Sequence, residues 1–332
     1  MNNWLKLPLQ RQKELFNQIS SNTGLPPFAV EKDAWVTLSL RMLFNSSLSD
    51  NIVFKGGTSL SKCYNLINRL SEDIDIALDR KYLGFGDALS KAEIRKLRKS
   101  THSFVVDKLP NILTDSLNEY GIESTDYEIS VENTEISDQD PETLLIKYNS
   151  VFDDETYLKP SVKIELGGRS LIEPSEEKEI TSLIDEQYKD SDFVENKFIV
   201  KAVLPEKTLI EKMILLHEEF HKPLDKIKSN RMSRHLYDIY QIMQTPHFLK
   251  ASKDNDLFTS ICEHRANLTP LKSNTPLDYS SLTFNSLQVI PQDNIIDDYR
   301  RDYNEMRTSM FFGDSPTFDT IIEQLQTFSK KP

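Results

Sequence analysis

The feature that most constrains this chain is residues 52–79, IVFKGGTSLSKCYNLINRLSEDIDIALD. It opens on Ile52-Val53-Phe54, an apolar run that reads as a buried strand. Lys55-Gly56-Gly57-Thr58-Ser59 then turns the chain into a helix predicted to run through Leu66, and the stretch closes on Asp73-Ile74-Asp75-Ile76. Successive side chains of a strand point to opposite faces, so Asp73 and Asp75 share one face while Ile74 and Ile76 bury the other. Glycines allow positive φ and close backbone approach. Thr58 or Ser59 can cap the following helix, whose first amides attract phosphate. Two carboxylates on one face suit Mg²⁺, which takes hard oxygen ligands and binds alongside substrate phosphates. Each half alone has a plain alternative, a simple strand-to-helix turn or a solvated strand edge. Joined, they point to a metal-dependent nucleotide site. No G-x-x-x-x-G-K-[ST] occurs, which disfavours a P-loop NTPase.

Length, charge and cysteine usage set the frame. At 332 residues the chain suggests two packed domains. It is 38% apolar and 28% charged, a normal soluble composition. No apolar run approaches the roughly 18 residues of a membrane span, and MNNWLKLPLQRQKELF lacks the pattern of a secretory signal. Cys63 and Cys262 are the only cysteines, which disfavours a disulfide framework, so the expected location is cytoplasmic. A net charge of −12 argues against a general nucleic-acid coat. Between Lys201 and His235, however, eight Lys and Arg face five Asp and Glu, a local basic surplus. A solvated helix face would show the same pattern.

The pattern places an amphipathic helix at 8–20, a strongly apolar helix at 29–45, and a long helical segment from Lys91 to Tyr120 that Pro110 ends or kinks. Strands are predicted at Tyr127–Val131, Leu144–Tyr148, Ser161–Leu166 and Phe198–Val203. Glu132–Glu142 and Glu173–Glu179 read as polar loops. From Pro205 the period turns helical to about Phe248, with further helices near 254–266, 292–307 and 315–329. The fold class is α+β, with an α+β domain over 1–203 and a helical domain over 204–332. Within Val162-Lys163-Ile164-Glu165-Leu166, Glu165 alternates onto a strand face and is placed to supply a third carboxylate.

Several segments together resemble the AbiEii/AbiGii-type toxins, a branch of the DNA polymerase β-like nucleotidyltransferases. FKGGTSLSKCYNLINRLSEDIDIAL is similar to the family's G-[GS] turn followed by D-x-[DE], and EKDAWVTLSLRMLF to the helix before it. VKIELGGR resembles its third-carboxylate strand and PEKTLIEKMILLH its lysine motif, with Lys212 in the lysine position. RHLYDIY is similar to its R-D-x-Y-D-[IL]-Y segment: Asp238 matches, while His235 stands where an acid is often found, so the role of position 235 stays open. The resemblance spans about residues 30–245.

It implies a polymerase β-like mixed sheet flanked by helices and a C-terminal helical domain. The implied reaction is Mg²⁺-dependent (or Mn²⁺-dependent) transfer of a nucleoside monophosphate from an NTP, within a type IV toxin–antitoxin or abortive-infection system. Asp73, Asp75 and Glu165 would hold the metal. Gly56, Gly57, Thr58 and Ser59 would cradle the triphosphate, with Ser71 nearby. Lys212 would contact the triphosphate, and Asp238 would orient that lysine or the acceptor. On spacing alone, an interhelix ion pair explains Lys212 and Asp238 as well. RNA is the expected acceptor, with tRNA acceptor ends a candidate, and the basic segment at 201–235 the first place to seek contact. A cognate antitoxin would be encoded nearby without requiring a stable complex.

Two alternatives come from other classes. One is a catalytically silent nucleotide- or RNA-binding regulator on the same fold, against which the intact D-x-D argues. The other is a zinc hydrolase using His217-Glu218-Glu219-Phe220-His221, which satisfies H-E-x-x-H. Against it, no Glu occurs between 222 and 262 as a third ligand, and Leu224 and Ile227 sit where a metzincin needs Gly and His.

Overall fold

The computed structural model describes residues 4–71, 73–132, 140–152, 159–271, 276–311 and 314–329. The chain divides into two compact units: Met1–Cys63 with Leu70–Val203, and Tyr64–Arg69 with Leu204–Pro332.

The first unit is built on a mixed sheet. In chain order its elements are α1 (Leu9–Thr23), α2 (Pro27–Phe44), β1 (Ile52–Lys55), α3 (Gly56–Lys62), β2 (Asp73–Leu78), α4 (Lys91–Asp107), α5 (Leu109–Glu119), β3 (Tyr127–Val131), β4 (Glu142–Tyr148), β5 (Ser161–Gly167), β6 (Ser175–Ile180), α6 (Leu183–Gln187) and β7 (Phe198–Val203). The strands order as β3-β4-β5-β2-β1-β7-β6. β2 runs parallel to β5 and β1 parallel to β7; the other neighbours are antiparallel. The sheet with its flanking helices is the expected α+β arrangement.

Alternation along the central strands makes the two faces unlike. Ile74 and Ile76 on β2, Val162, Ile164 and Leu166 on β5, and Leu144 and Ile146 on β4 are buried in one core. Each such side chain stabilises the fold by roughly 1.5–3 kcal/mol. The intervening positions of β2 and β5 carry Asp73, Asp75, Lys163 and Glu165, all half-buried. α2 is enclosed on nearly every side, with Val30 to Phe44 all buried except Asp33. Its Trp35 stacks on Tyr148 at 4.8 Å. Its buried Glu31 accepts from Ser150 Oγ at 2.6 Å and from the Val151 amide at 2.8 Å. Arg41 donates to the Asn196 carbonyl at 2.7 Å and lies 4.4 Å from the Phe198 ring centroid. Buried charge is tolerated there because each group is hydrogen-bonded.

Two local expectations change, at 173–179 and at the end of α3, and the expected break near Pro110 is present. The acidic stretch expected as a loop at 173–179 contains β6, antiparallel to β7 at the end of the sheet. Its backbone is satisfied by β7, and its charges suit an edge, where they discourage pairing with other chains. Glu176 meets Lys178 at 3.0 Å, and Glu173 meets Lys201 at 2.9 Å. The segment from Lys91 breaks at Lys108, so Pro110 sits in the first turn of α5, where it lacks no hydrogen bond. α3 ends at Lys62 rather than Leu66, and Asn65 then turns with a φ of 51°, a conformation asparagine tolerates.

The regular elements of the second unit, among the described residues, are helical: α7 (Pro205–Phe220), α8 (Ser233–Met243), α9 (Pro246–Lys253), α10 (Asn255–Leu268), α11 (Ile296–Met310) and α12 (Phe318–Ser329). Its core includes Met213, Leu216, Phe220, Tyr237, Ile242, Tyr299 and Tyr303. The run expected from Pro205 to Phe248 is three helices: α7 stops before Pro223, and Pro246 opens α9 behind a Thr245 cap. This unit also takes in Tyr64–Arg69, where the chain leaves the first unit after Cys63 and re-enters it at Leu70.

Candidate functional site

The site residues fall into two groups, one in each unit. In the first unit, β1 hands the chain to α3 through Gly56, whose φ is 80°. A Cβ built on Gly56 would lie 1.9 Å from Asp75 Oδ2, so a side chain there would collide with the carboxylate. Glycine is therefore required both by the backbone and by the neighbouring acid. Gly57, Thr58 and Ser59 are buried in the first turn of α3. Thr58 Oγ1 donates to the Asp73 carbonyl, and its hydroxyl contacts that of Ser71 at 2.8 Å. A hydroxyl has a single proton, which makes Ser71 the donor in that second contact. Thr58 thus ties the turn to the first residue of β2. The Cys63 thiol is pushed up to about 12 by burial, against the Ser59 hydrogen bond, which leaves it a poor nucleophile.

Strand register sets the carboxylates. Asp75 pairs with Lys55 on β1 and with Glu165 on β5, and Asp73 pairs with Lys163. Asp73, Asp75, Lys163 and Glu165 consequently share one face. Lys163 Nζ donates to Glu165 Oε1. Burial would lower the Lys163 ammonium, but Glu165, Asp73 and Glu132 outweigh it and hold it above its usual value. Among the described residues no three His, Cys, Asp or Glu side chains gather as a ready-made metal cage. The hard oxygens on this face are those of Asp73 and Asp75, with Glu165 in register and held by Lys163. That set suits a cation that takes one or two carboxylates and completes its shell with phosphate and water.

The second group is buried. Asp238 on α8 is 0% exposed. Its Oδ1 accepts from Arg69 Nε at 2.8 Å and its Oδ2 from Arg69 Nη2 at 2.7 Å, a fork-on-carboxylate pair. Lys212 on α7 reaches the same Oδ2 at 2.9 Å, and its Nζ lies 3.4 Å from His235 Nδ1. Burial would raise the Asp238 carboxyl, yet Arg69 and Lys212 hold it well below the usual carboxylate range. Burial lowers the Lys212 ammonium; Arg69 and Arg234 push the same way and Asp238 opposes them. Burial, then Lys212 and Arg234, push His235 well below its ordinary value, so its imidazole is neutral at pH 7. An acid at that position would have added a second anion; the histidine adds none.

Arg69 is the residue that sequence reasoning passed over. It lies four positions before Asp73, inside the most informative stretch of the chain, but an arginine beyond a helix end reads as solvated surface. Its partner lies on α8, far along the chain, so no local pattern marks it. Of the basic residues expected to meet RNA, Lys207 and Lys212 are buried, Lys222 pairs with Glu219, and Lys226, Lys228 and Arg231 are exposed.

A family model described as Nucleotidyl transferase AbiEii toxin, Type IV TA system, matches residues 39–324. The chain belongs to that family. The match takes in the glycine turn, the D-x-D strand, Glu165, Lys212 and Asp238. No curated protein matches the chain. Among the described residues no helix is long and apolar enough to cross a membrane.

In this AbiEii-family chain the H-E-x-x-H segment is occupied by packing. Glu218 accepts from Tyr279 Oη at 2.6 Å and from Arg265 Nε at 3.0 Å. His217 Nδ1 accepts the Gln288 amide at 2.9 Å, and the two imidazole centroids stand 4.1 Å apart. α7 ends at Phe220, so His221 lies beyond the last full turn. The glutamate a zinc hydrolase would use as its base is instead an ion-pair partner.

Proposed function

We propose that the chain transfers a nucleoside monophosphate from an NTP to an RNA acceptor, with tRNA as the first candidate, and releases pyrophosphate. The observation that carries this reading is the packing of Gly56 against the Asp75 carboxylate, with Asp73 on the same strand face, in a chain matched over 39–324 to nucleotidyl transferase toxins. In the reaction an acceptor hydroxyl oxygen bonds to the α-phosphorus, the bond to the bridging oxygen of the β-phosphate breaks, and the hydroxyl proton leaves to base. Asp73 and Asp75 would hold Mg²⁺ or Mn²⁺, with Glu165 completing the carboxylate set once released from Lys163. A bound divalent ion would supply charge neutralisation at the triphosphate.

The chain's own residues do the rest. Gly56, Gly57, Thr58 and Ser59 form the turn assigned to the triphosphate, and the Thr58–Ser71 contact steadies it. Lys212 adds a cation for charge that develops in transfer, and Asp238 orients it. The exposed Lys226, Lys228 and Arg231 are the first basic groups to test for contact with RNA phosphates. The location is cytoplasmic, and an antitoxin encoded nearby counters the toxin, a stable complex not being required.

The test is incubation of purified protein with each labelled NTP, Mg²⁺ and total tRNA. Label moves from one NTP into tRNA in the wild type and not in Asp75→Ala. Absence of transfer from every NTP, with tight nucleotide binding retained, would favour a silent nucleotide-binding regulator. Induced expression arrests growth, and Asp75→Ala relieves the arrest at equal abundance.

A further inference from the structure

The buried carboxylate of Asp238 faces two cations, although an interhelix pair with Lys212 would need one. Arg69 takes both oxygens with its fork, at 2.8 and 2.7 Å, and Lys212 shares Oδ2 at 2.9 Å. The arginine itself is held in place. Arg69 pairs with Phe311 in an isolated antiparallel bridge. Next to it, the Asn68 amide donates to Tyr237 Oη at 3.2 Å, and Gln241 donates to the same oxygen at 2.6 Å. The Tyr237 ring meets Phe311 edge-on at 4.5 Å. The guanidinium is therefore presented from a packed backbone, to the residue beside Tyr237.

We infer that Arg69 is a positioning residue for the proposed transfer: it fixes the plane of the Asp238 carboxylate so that Oδ2 steers the Lys212 ammonium. The inference rests on the nucleotidyl-transfer reading above. Its physical logic is charge compensation. An arginine stays protonated at any working pH, so Asp238 remains paired whether or not Lys212 is in contact with it. Lys212 can then engage a polyphosphate without leaving a bare anion in the core, which would be strongly unfavourable. With one cation alone the lysine would be bound to its role as counter-ion. The bidentate geometry matters for the same reason: a point charge would compensate Asp238 without fixing its plane.

The experiment uses the full chain, each of the four labelled NTPs, Mg²⁺ and total tRNA, and compares Arg69→Gln, Arg69→Lys, Lys212→Ala and the Arg69→Gln/Lys212→Ala double variant. Rates are expressed per folded molecule, with the folded fraction taken from thermal unfolding. Asp238 keeps Lys212 as a partner in Arg69→Gln, so the core is not left with an uncompensated charge. Arg69→Gln is expected to lower kcat about 100-fold with KM for the NTP nearly unchanged, as for a misplaced catalytic group. Lys212→Ala lowers it about 1000-fold, in the range for loss of a transition-state partner. The double variant is within about threefold of Lys212→Ala, because the two residues act as one unit. Arg69→Lys regains about tenfold, since charge returns without the fork. A wild-type kcat per folded molecule in Arg69→Gln, or losses that multiply in the double variant, overturns the inference while Lys212→Ala stays inactive. If Lys212→Ala transfers at the wild-type rate, or the wild type transfers no label, the nucleotidyl-transfer reading itself fails and the inference goes with it.

Discussion

Asp73 and Asp238 are both aspartates in segments tied to the same family match, yet their surroundings are opposite. Asp73 lies half-buried on a strand face, beside Asp75 and in register with Lys163. Asp238 is wholly buried between two cations. On the strand face, solvent still shares in compensating the carboxylates, so an arriving cation meets oxygens that are only partly desolvated. In the helical unit the compensation is complete before any ligand arrives and has become part of the fold. The difference teaches that substitutions of the same residue type should separate activity from stability.

The largest expected effects come from crossing that comparison. Asp238→Asn leaves Arg69 and Lys212 facing a neutral amide in the core, which should lower stability by about 3–5 kcal/mol in urea unfolding. Asp73→Ala alters a half-buried position on the strand face and should leave stability within about 1 kcal/mol, the usual range away from packed cores. Label transfer in Asp73→Ala should nonetheless fall about 1000-fold. Equal destabilisation by the two variants would erase the distinction between an open face and a compensated core.

Gly56→Ala tests how closely the open face is built. The new methyl would sit 1.9 Å from Asp75 Oδ2, at a φ of 80°. The left-handed conformation alone disfavours alanine by about 1–2 kcal/mol. Relieving the collision requires Asp75 to move, and a displacement of that order is expected to lower transfer about 100-fold. A stable Gly56→Ala variant with wild-type transfer would mean that Asp75 is not held where the proposed reaction needs it.

How far these two environments were legible in sequence differs for a physical reason. Alternation of Asp and Ile over 73–76 gives both faces of β2, because period-two patterning is local. The strands at Tyr127–Val131 and Phe198–Val203 stand where the apolar runs place them. β6 was hidden because an edge strand needs no apolar face: Glu176, Glu177, Lys178 and Glu179 look like a loop until β7 supplies the ladder. Gly56 was legible as a turn, but its fit against Asp75 depends on the register between β1 and β2. Arg69 was illegible for the same reason on a longer scale. Its partner is 169 positions away, and nothing in RLSED distinguishes a buried guanidinium from a solvated one.

The buried unit should also show an acid sensitivity that the strand face does not. Burial, then His221, push the His217 imidazole down to about 4, while its Nδ1 accepts the Gln288 amide. In the unfolded chain the same group takes a proton near 6.5. As pH falls from about 6.5 toward 4, the unfolded chain gains a proton that the folded chain refuses, so stability is lost across that window by about 2 kcal/mol. Asp238 adds nothing there: its contribution is intact above the unfolded carboxylate value near 3.9 and declines only at lower pH. Thermal midpoints measured from pH 7 to pH 4 should therefore fall, and His217→Gln should flatten the profile. An unchanged slope in that variant would remove His217 as the cause.

The smallest expected effect asks what Lys163 does to the open face. Its ammonium donates to Glu165, with the two side chains 35% and 26% exposed, so solvent screens the pair and it contributes at most about 1 kcal/mol. While that contact holds, Glu165 is committed to a lysine rather than to a cation. Lys163→Met keeps the length and the packing of the side chain but removes the competing charge. A divalent ion bound by Asp73 and Asp75 should then gain Glu165 as a neighbour without displacing an ammonium. Mn²⁺ titrated into the nucleotide-free protein and followed by electron paramagnetic resonance should bind about fivefold more tightly, the equivalent of releasing one screened ion pair. Asp73→Ala in the same titration should abolish the gain. Unchanged Mn²⁺ affinity in Lys163→Met would mean that Glu165 stays apart from the cation even when free to reach it, leaving Asp73 and Asp75 as the whole carboxylate set.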